Sequence, residues 1–83
     1  MIAVIRYLFM VALHPSHRKL LGQAIRHHRK QAKMTQEQLG EKADLNPKYI
    51  GEVERMEKTI SVDALARIAK AMGVSVQDLV QGF

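Results

Sequence analysis

Five helix-start signals recur at short intervals after residue 15, and they constrain the fold of this chain more than any other feature of its sequence. Ser, Thr and Asn side chains at such positions accept hydrogen bonds from the unpaired N–H groups of a helix's first turn. No stretch between the signals alternates apolar and polar residues as a half-buried strand does. The sequence therefore predicts an all-α domain of five helices. The predicted N-caps are Ser16, Thr35, Asn46, Ser61 and Ser75.

Only two residues join the second predicted helix to the third. The second helix is expected over residues 36–43 and the third from Asn46 onward, with Asp44 and Leu45 as the turn. Pro47 suits the first helical position because its missing N–H would be unpaired there anyway. Two short helices joined by such a turn, the second polar on its outer face, form a helix-turn-helix. The residues expected on or near that outer face are Asn46, Pro47, Lys48, Gly51, Glu52 and Arg55.

Charge is distributed unevenly along the chain, because no acidic residue precedes residue 37. Residues 1–36 contain seven Arg and Lys side chains, whereas residues 37–83 contain six basic and eight acidic ones. Such asymmetry indicates one surface that meets a polyanion, either nucleic acid or anionic lipid. A solvated basic helix is the alternative explanation. The absence of cysteine excludes disulfide and cysteine–zinc frameworks and favours a cytoplasmic location.

The apolar segment MIAVIRYLFMVAL at residues 1–13 fits none of the five helices. It is shorter than the about 20 residues that a spanning helix needs, and Arg6 lies at its middle. A signal peptide is disfavoured because the start carries no charge. The simplest explanation of this segment is an upstream start codon, with Met10 as another candidate start. If the segment is folded, we expect it to cover an apolar face of the domain or of a second copy. We predict a strand or irregular extension over residues 1–15 and a helix-turn-helix domain over residues 16–83.

These motifs resemble the Cro/phage-repressor (XRE-like) helix-turn-helix family. The match runs in order and at the family's spacing over about residues 20–80. Within the family, the sequence is most similar to controller proteins of restriction–modification systems. The resemblance implies a cytoplasmic, dimeric, sequence-specific DNA-binding transcriptional regulator that binds a double-stranded operator with two half-sites. The matching stretches are AIRHHRKQAKMT, TQEQL, YIGEVER and SVDALARIAKAMGVSVQDL.

The resemblance also implies four groups of functional residues. The residues that read base edges are Asn46, Pro47, Lys48 and Glu52. Those that contact the sugar–phosphate backbone are Gln36, Tyr49, Arg55 and Lys58. A structural ion pair joins Arg29 in the first helix to Glu54 in the third. The residues of the dimer interface are Val76, Leu79, Val80 and Phe83.

Two roles remain open for Glu52, which follows Lys48 by four residues. In one, the two side chains form an exposed ion pair worth roughly 0.2–0.5 kcal/mol. In the other, Glu52 accepts a hydrogen bond from cytosine N4 while Lys48 donates to guanine O6 or N7. We expect a mixture, in which Glu52 orients Lys48 and penalises wrong bases. Pro47 offers only apolar contact, for instance to a thymine methyl group.

The chain departs from the family's pattern at several positions. Met56 stands where a glycine usually ends the recognition helix, which indicates either a different helix exit or a strained one. Ile60 replaces a common proline, and His28 replaces a core leucine. Asp44 and Gly40 occupy positions that are commonly Gly and Ala. None of these changes removes the motif.

The histidines do not form a convincing metal site. His14 and His17, like the adjacent His27 and His28, have no carboxylate nearby in sequence, and adjacent helical residues diverge by about 100°. We expect His28 to be partly buried and His27 to be exposed. No constellation for catalysis is present either, so no metal, cofactor or enzyme activity is expected.

The alternative function is a protein-interaction module on the same fold, either antitoxin-like or a membrane-associated adaptor. The apolar residues 1–13 are the feature that favours it. For the regulator, no membrane partner is expected.

Overall fold

The computed structural model describes residues 15–81, which fold into five α-helices and contain no β-strand. This confirms the all-α, five-helix prediction. Residues 1–14 of the predicted extension and Phe83 lie outside the described residues, so the predicted form of that segment stays a prediction. No helix within residues 15–81 is both long and apolar enough to cross a bilayer. The helices are α1 Pro15–Gln31, α2 Gln36–Ala43, α3 Pro47–Glu54, α4 Val62–Met72 and α5 Val76–Val80.

Polar caps begin α2 to α5 at the residues that the sequence predicts. Thr35 shows the arrangement, because its hydroxyl accepts the Gln38 N–H at 3.0 Å and the Gln38 side chain accepts the Thr35 N–H at 2.9 Å. Ser75 forms the same capping box with Asp78 at the start of α5. These bonds satisfy N–H groups that have no partner inside the helix. The four capping residues are Thr35, Asn46, Ser61 and Ser75.

Within the described residues, α1 runs from Pro15, two residues before His17, where a helix capped by Ser16 would begin. Pro15 therefore belongs to α1 and not to the predicted extension. Ser16 therefore lies in the first turn of α1, and its prediction as the N-cap is wrong.

Helices α1 to α4 share one kind of C-terminus, the Schellman motif. At the end of α3, the Met56 N–H donates to the Val53 carbonyl (3.1 Å) and the Glu57 N–H donates to the Glu52 carbonyl (2.8 Å). The motif needs a left-handed residue, for which glycine is suited because it has no Cβ. Met56 adopts that conformation with φ of 66°, so the strained exit is the one found. The left-handed residues of the four motifs are Lys33, Asp44, Met56 and Gly73.

One apolar cluster lies at the centre of the described helices. The helix-turn-helix of α2 and α3 packs on α1 and α4, and α5 folds back onto α1 and α4. Burial of these side chains is the main favourable contribution to the stability of such a small domain. The largest fully buried side chains are Leu21, Ile25, Leu39, Ile50, Leu65, Ile68, Leu79 and Val80.

Two glycines let the backbone approach α3 closely and so fix its position. A Cβ on Gly22 of α1 would lie 2.7 Å from the Val53 carbonyl oxygen and 2.9 Å from that of Glu54. A Cβ on Gly40 of α2 would lie 2.7 Å from the Leu45 carbonyl oxygen. Both distances are shorter than van der Waals contact allows. The α2–α3 turn and the last turn of α3 are therefore held against neighbouring backbone, with no side chain between.

Candidate nucleic-acid interface

The N-terminal end of α3 exposes polar groups to solvent. Asn46 and Lys48 are exposed, and Pro47 is half-buried. The Asn46 side-chain oxygen accepts the Lys48 N–H at 2.9 Å, so this oxygen serves as the helix cap. The carboxamide NH₂ of Asn46 and the ammonium group of Lys48 are thus the hydrogen-bond donors that this end of the helix presents.

Among residues 15–81, Glu52 pairs with Lys58 and not with Lys48. Of the two roles left open for Glu52, the i,i+4 ion pair with Lys48 is therefore wrong. The Lys58 Nζ lies 3.7 Å from the Glu52 Oε2. The chain reverses after Met56 and returns Lys58 to the side of α3 that carries Glu52. A shallow surface depression next to this pair is lined by Asn46, Lys48, Tyr49, Glu52 and Lys58. Five of the eight residues predicted to contact DNA therefore lie together in one place.

Tyr49 connects α3 to the loop that follows it. Its hydroxyl donates to the Thr59 carbonyl at 3.3 Å, and the side chain packs against the core. Partial burial raises the pKa of the phenol, since the ionised form is less well solvated there. Tyr49 thus remains neutral at physiological pH and holds the loop that carries Lys58.

Arg29 and Glu54 form a buried, bidentate ion pair on the side of α3 that faces the core. The Arg29 Nε donates to the Glu54 Oε2 at 2.7 Å, and Nη2 donates to Oε1 at 3.0 Å. The Glu54 side chain is 2% exposed and that of Arg29 is 11% exposed. Arg29 Nη1 also donates to the Met34 carbonyl at 2.9 Å, which fixes the link between α1 and α2. One guanidinium therefore ties α1 to α3 and to the link that precedes α2.

Gln36 belongs to the same network, which the sequence did not reveal. Its side-chain Nε2 donates to the Glu54 Oε1 at 3.2 Å. Gln36 is the first residue of α2, so this bond joins the start of α2 to the end of α3. The only sequence signal was the position of Gln36 after the Thr35 cap, which says nothing about a partner 18 residues away.

Gly51 is buried, although the sequence placed it on or near the exposed face. A Cβ at this position would lie 2.9 Å from the Arg55 Nη1 and 3.2 Å from the Gln36 Oε1. These two polar side chains cover Gly51 because a glycine leaves room for them on the helix surface. The expected exposure of Gly51 is therefore wrong.

Arg55 is paired with Glu57 just beyond α3. The Arg55 Nε donates to the Glu57 Oε2 at 3.0 Å, and Nη2 donates to Oε1 at 3.3 Å. Hydrogen bonding to Glu57 raises the pKa of Arg55, and hydrogen bonding to Arg55 lowers the pKa of Glu57. Both side chains are more than half exposed, at 55% and 53%. The pair lies on the solvent side, where a phosphate could reach it.

The residues predicted to form a dimer interface lie mostly inside the domain. Leu79 and Val80 are each 1% exposed, and Val76 packs against the core. The dimer contacts predicted at Leu79 and Val80 are therefore corrected, because side chains enclosed by their own chain have no surface to offer a partner. Phe83, the last of the four, lies outside the described residues.

Arg67 of α4 contacts the turn of the helix-turn-helix. Its Nη1 donates to the Asp44 carbonyl at 3.0 Å, and its Nη2 lies 2.7 Å from the Asp63 Oδ2. The i,i+4 spacing of Asp63 and Arg67 in the sequence is enough to predict their ion pair. The bond from Arg67 to Asp44 could not be predicted from the sequence, because it depends on how α4 packs against the turn.

The described histidines show no metal-binding geometry. His27 is exposed and His28 is half-buried, and their rings meet edge to face with centroids 5.3 Å apart. Residues 15–81 contain no group of three or more His, Cys, Asp or Glu side chains that could hold a metal ion. His14 lies outside the described residues.

Known proteins resemble this chain in sequence over most of its length. A helix-turn-helix family model matches residues 25–79. Control protein C.BamHI of Bacillus amyloliquefaciens is 40% identical over 63 residues, which are 75% of this chain and 78% of that protein. The immunity repressor protein of Bacillus phage phi105 is 40% identical over 60 residues, which are 72% of this chain and 42% of the repressor.

A solved structure shares the fold. The restriction-modification controller protein C.AhdI from Aeromonas hydrophila has a TM-score of 0.75 and 26% sequence identity, and the match covers 77% of this chain and 97% of that one. The two sequence relatives and this structure are all named for control or repression.

Proposed function

This chain belongs to the XRE-like helix-turn-helix family that its motifs predict, and we propose that it regulates transcription by laying α3 in the major groove of an operator. The observation that carries this proposal is the contrast across α3. Its polar N-terminal end, with Asn46 and Lys48, faces solvent, while its buried side is fixed through Glu54 to Arg29 and Gln36. A rigidly held helix with exposed donors is suited to reading base edges.

Base reading falls to the exposed end of α3. Lys48 donates to guanine O6 or N7, and the Asn46 NH₂ is available to a base acceptor while its oxygen caps the helix. Pro47 contacts a thymine methyl group. Glu52, held by Lys58, accepts from cytosine N4 or disfavours bases that present an acceptor there.

Phosphate contacts surround that end of the helix. The N-terminus of α2 at Gln36 directs free N–H groups outward, which favours an anion. Arg55 and Lys58 supply positive charge from the end of α3 and the loop beyond it, and Tyr49 holds that loop in place. These contacts set the register of α3 on the duplex without reading sequence.

We place two copies on the operator, so that their α3 helices lie one helical turn apart, about 34 Å. With Leu79 and Val80 enclosed in the core, Val76, which is half-buried, is the one described residue of the predicted interface that keeps exposed surface for a second copy. The predicted contact at Phe83 lies outside the described residues.

The test is selection of binding sites from random duplexes, followed by titrations of the selected site at several salt concentrations. We expect an enriched sequence with two similar half-sites and a log K that falls with log salt by about 0.9 per phosphate neutralised. No enrichment, together with a slope near zero, would refute the proposal.

A further inference from the structure

The guanidinium of Arg55 is already occupied by a carboxylate in the free protein. Glu57 bonds the edge formed by Nε and Nη2, at 3.0 and 3.3 Å. The remaining nitrogen, Nη1, lies over Gly51 on the helix surface. The Nε–Nη2 edge is therefore held by Glu57, while Nη1 lies next to Gly51.

This pairing depends on the left-handed residue between the two partners. Residues i and i+2 of a continuous helix point in widely different directions and do not meet. Met56, with φ of 66°, ends the helix and turns the chain so that Arg55 and Glu57 share one side. The ion pair is therefore a product of the helix exit.

A DNA phosphate that binds Arg55 through Nε and Nη2 would need the edge that Glu57 holds. Arginine binds phosphate and carboxylate in the same bidentate geometry, through two parallel N–H groups. Glu57 and a phosphate consequently compete for Arg55. Lys58 is in a similar position, since Glu52 lies 3.7 Å from its ammonium group.

We propose that Glu57 is a specificity-determining residue that withholds Arg55 from the phosphates of non-operator DNA and releases it when α3 is seated on an operator. This inference rests on the proposed function. On non-operator DNA, a phosphate competes with a carboxylate two residues away in the same chain. On the operator, base contacts made by Asn46 and Lys48 hold a phosphate beside Arg55, and its effective concentration there exceeds that of any phosphate met in passing.

The experiment measures the affinity of Glu57→Gln and wild type for the selected operator and for an unrelated duplex, across a salt series. We expect Glu57→Gln to bind the unrelated duplex about two- to fivefold more tightly, as fits an exposed ion pair. The slope of log K against log salt on that duplex should steepen by about 0.9, for one additional phosphate contact. Operator affinity should change less, so the ratio of operator to non-operator affinity falls.

Glu41→Gln is the matched control. Glu41 is exposed on α2, and within residues 15–81 the structure shows it in no ion pair, so this change alters the net charge equally but frees no cation. If Glu41→Gln and Glu57→Gln tighten non-operator binding to the same extent, net charge explains the result and the inference is overturned.

A double variant separates release of Arg55 from other effects of Glu57. In an Arg55→Ala background, Glu57→Gln should tighten non-operator binding no more than Glu41→Gln does, because the cation it would free is gone. A larger effect in that background overturns the inference. Wild type alone tests the proposed function, since a protein without operator preference fails before any variant is compared.

Discussion

The two ends of α3 differ in what holds them. At the N-terminal end, the Asn46 cap bonds to no described residue outside the helix itself, and Lys48 extends into solvent. At the C-terminal end, Glu54 is enclosed by Arg29 and Gln36, and the backbone of Gly22 touches the last turn. The helix is anchored at one end and presents chemistry at the other. Changes at the anchored end should therefore alter stability, and changes at the exposed end should alter recognition.

The largest effect is expected from breaking the anchor. Arg29→Met would leave the Glu54 carboxylate, 2% exposed, without its cation. We expect a loss of about 3–5 kcal/mol in the free energy of unfolding, since a buried charge without a partner is costly. Urea unfolding at neutral pH measures this loss. Lys30→Met is the control, because Lys30 is exposed on the same helix and its removal should cost less than about 0.5 kcal/mol. Equal costs would show that the anchor is unimportant.

The next effect tests the contact of α1 with the last turn of α3. In Gly22→Ala, the new methyl group would lie 2.7 Å from the Val53 carbonyl oxygen, so one backbone must move. Overpacking outweighs the better helix propensity of alanine, and we expect a net loss of about 1–2 kcal/mol. Thermal unfolding measures it against Gln23→Ala, an exposed neighbour whose substitution should be nearly neutral. A Gly22→Ala protein as stable as wild type would mean that the two helices are free to separate.

A gain in stability is expected at Met56, which ends the anchored end of α3. Met56→Gly should stabilise the protein by about 0.5–1 kcal/mol, because glycine takes the left-handed conformation without the cost that a Cβ brings. Met56→Ala is the matched control: it removes the same exposed side chain but keeps a Cβ. If urea unfolding shows the same change for both variants, loss of the side chain explains the change and backbone strain does not.

The smallest effect on stability is expected at the exposed end. Lys48→Ala should change the free energy of unfolding by less than about 0.5 kcal/mol, because Lys48 makes no side-chain bond within the described residues. Its consequence should appear in binding, as a changed base preference at one operator position. Binding-site selection with the variant measures that preference. Lys30→Ala serves for comparison, and a Lys48→Ala protein that merely weakens binding to every duplex alike would contradict base reading.

The parts of the fold that could be predicted are those set by local chemistry. Thr35, Asn46 and Ser75 mark helix starts because their side chains bond to N–H groups within three residues. The Arg29–Glu54 pair followed from resemblance to a family, since nothing in the spacing of two residues 25 apart indicates contact.

The errors arose where the return of the chain after α3 decides the outcome. Glu52 was assigned to Lys48 because that neighbour is visible in sequence, whereas Lys58 reaches it only through the turn at Met56. Gly51 looked exposed because side chains that fold over a helix leave no periodic signal. The interface role of Leu79 is what the family resemblance implies, and its apolar pattern could not correct it. A short amphipathic helix shows the same pattern whether its partner is its own core or a second copy.

The direct backbone contact at Gly22 has a consequence for how this surface can be altered. Because carbonyl oxygens of α3 rest on α1 with no side chain between them, the spacing of the two helices does not depend on which residues α1 displays to solvent. Exposed cations such as Lys19, Arg26 and Lys30 can be exchanged without moving α3. Overall charge and the choice of operator are thus separately adjustable. A variant library in α1 could change the overall charge while the choice of operator is kept.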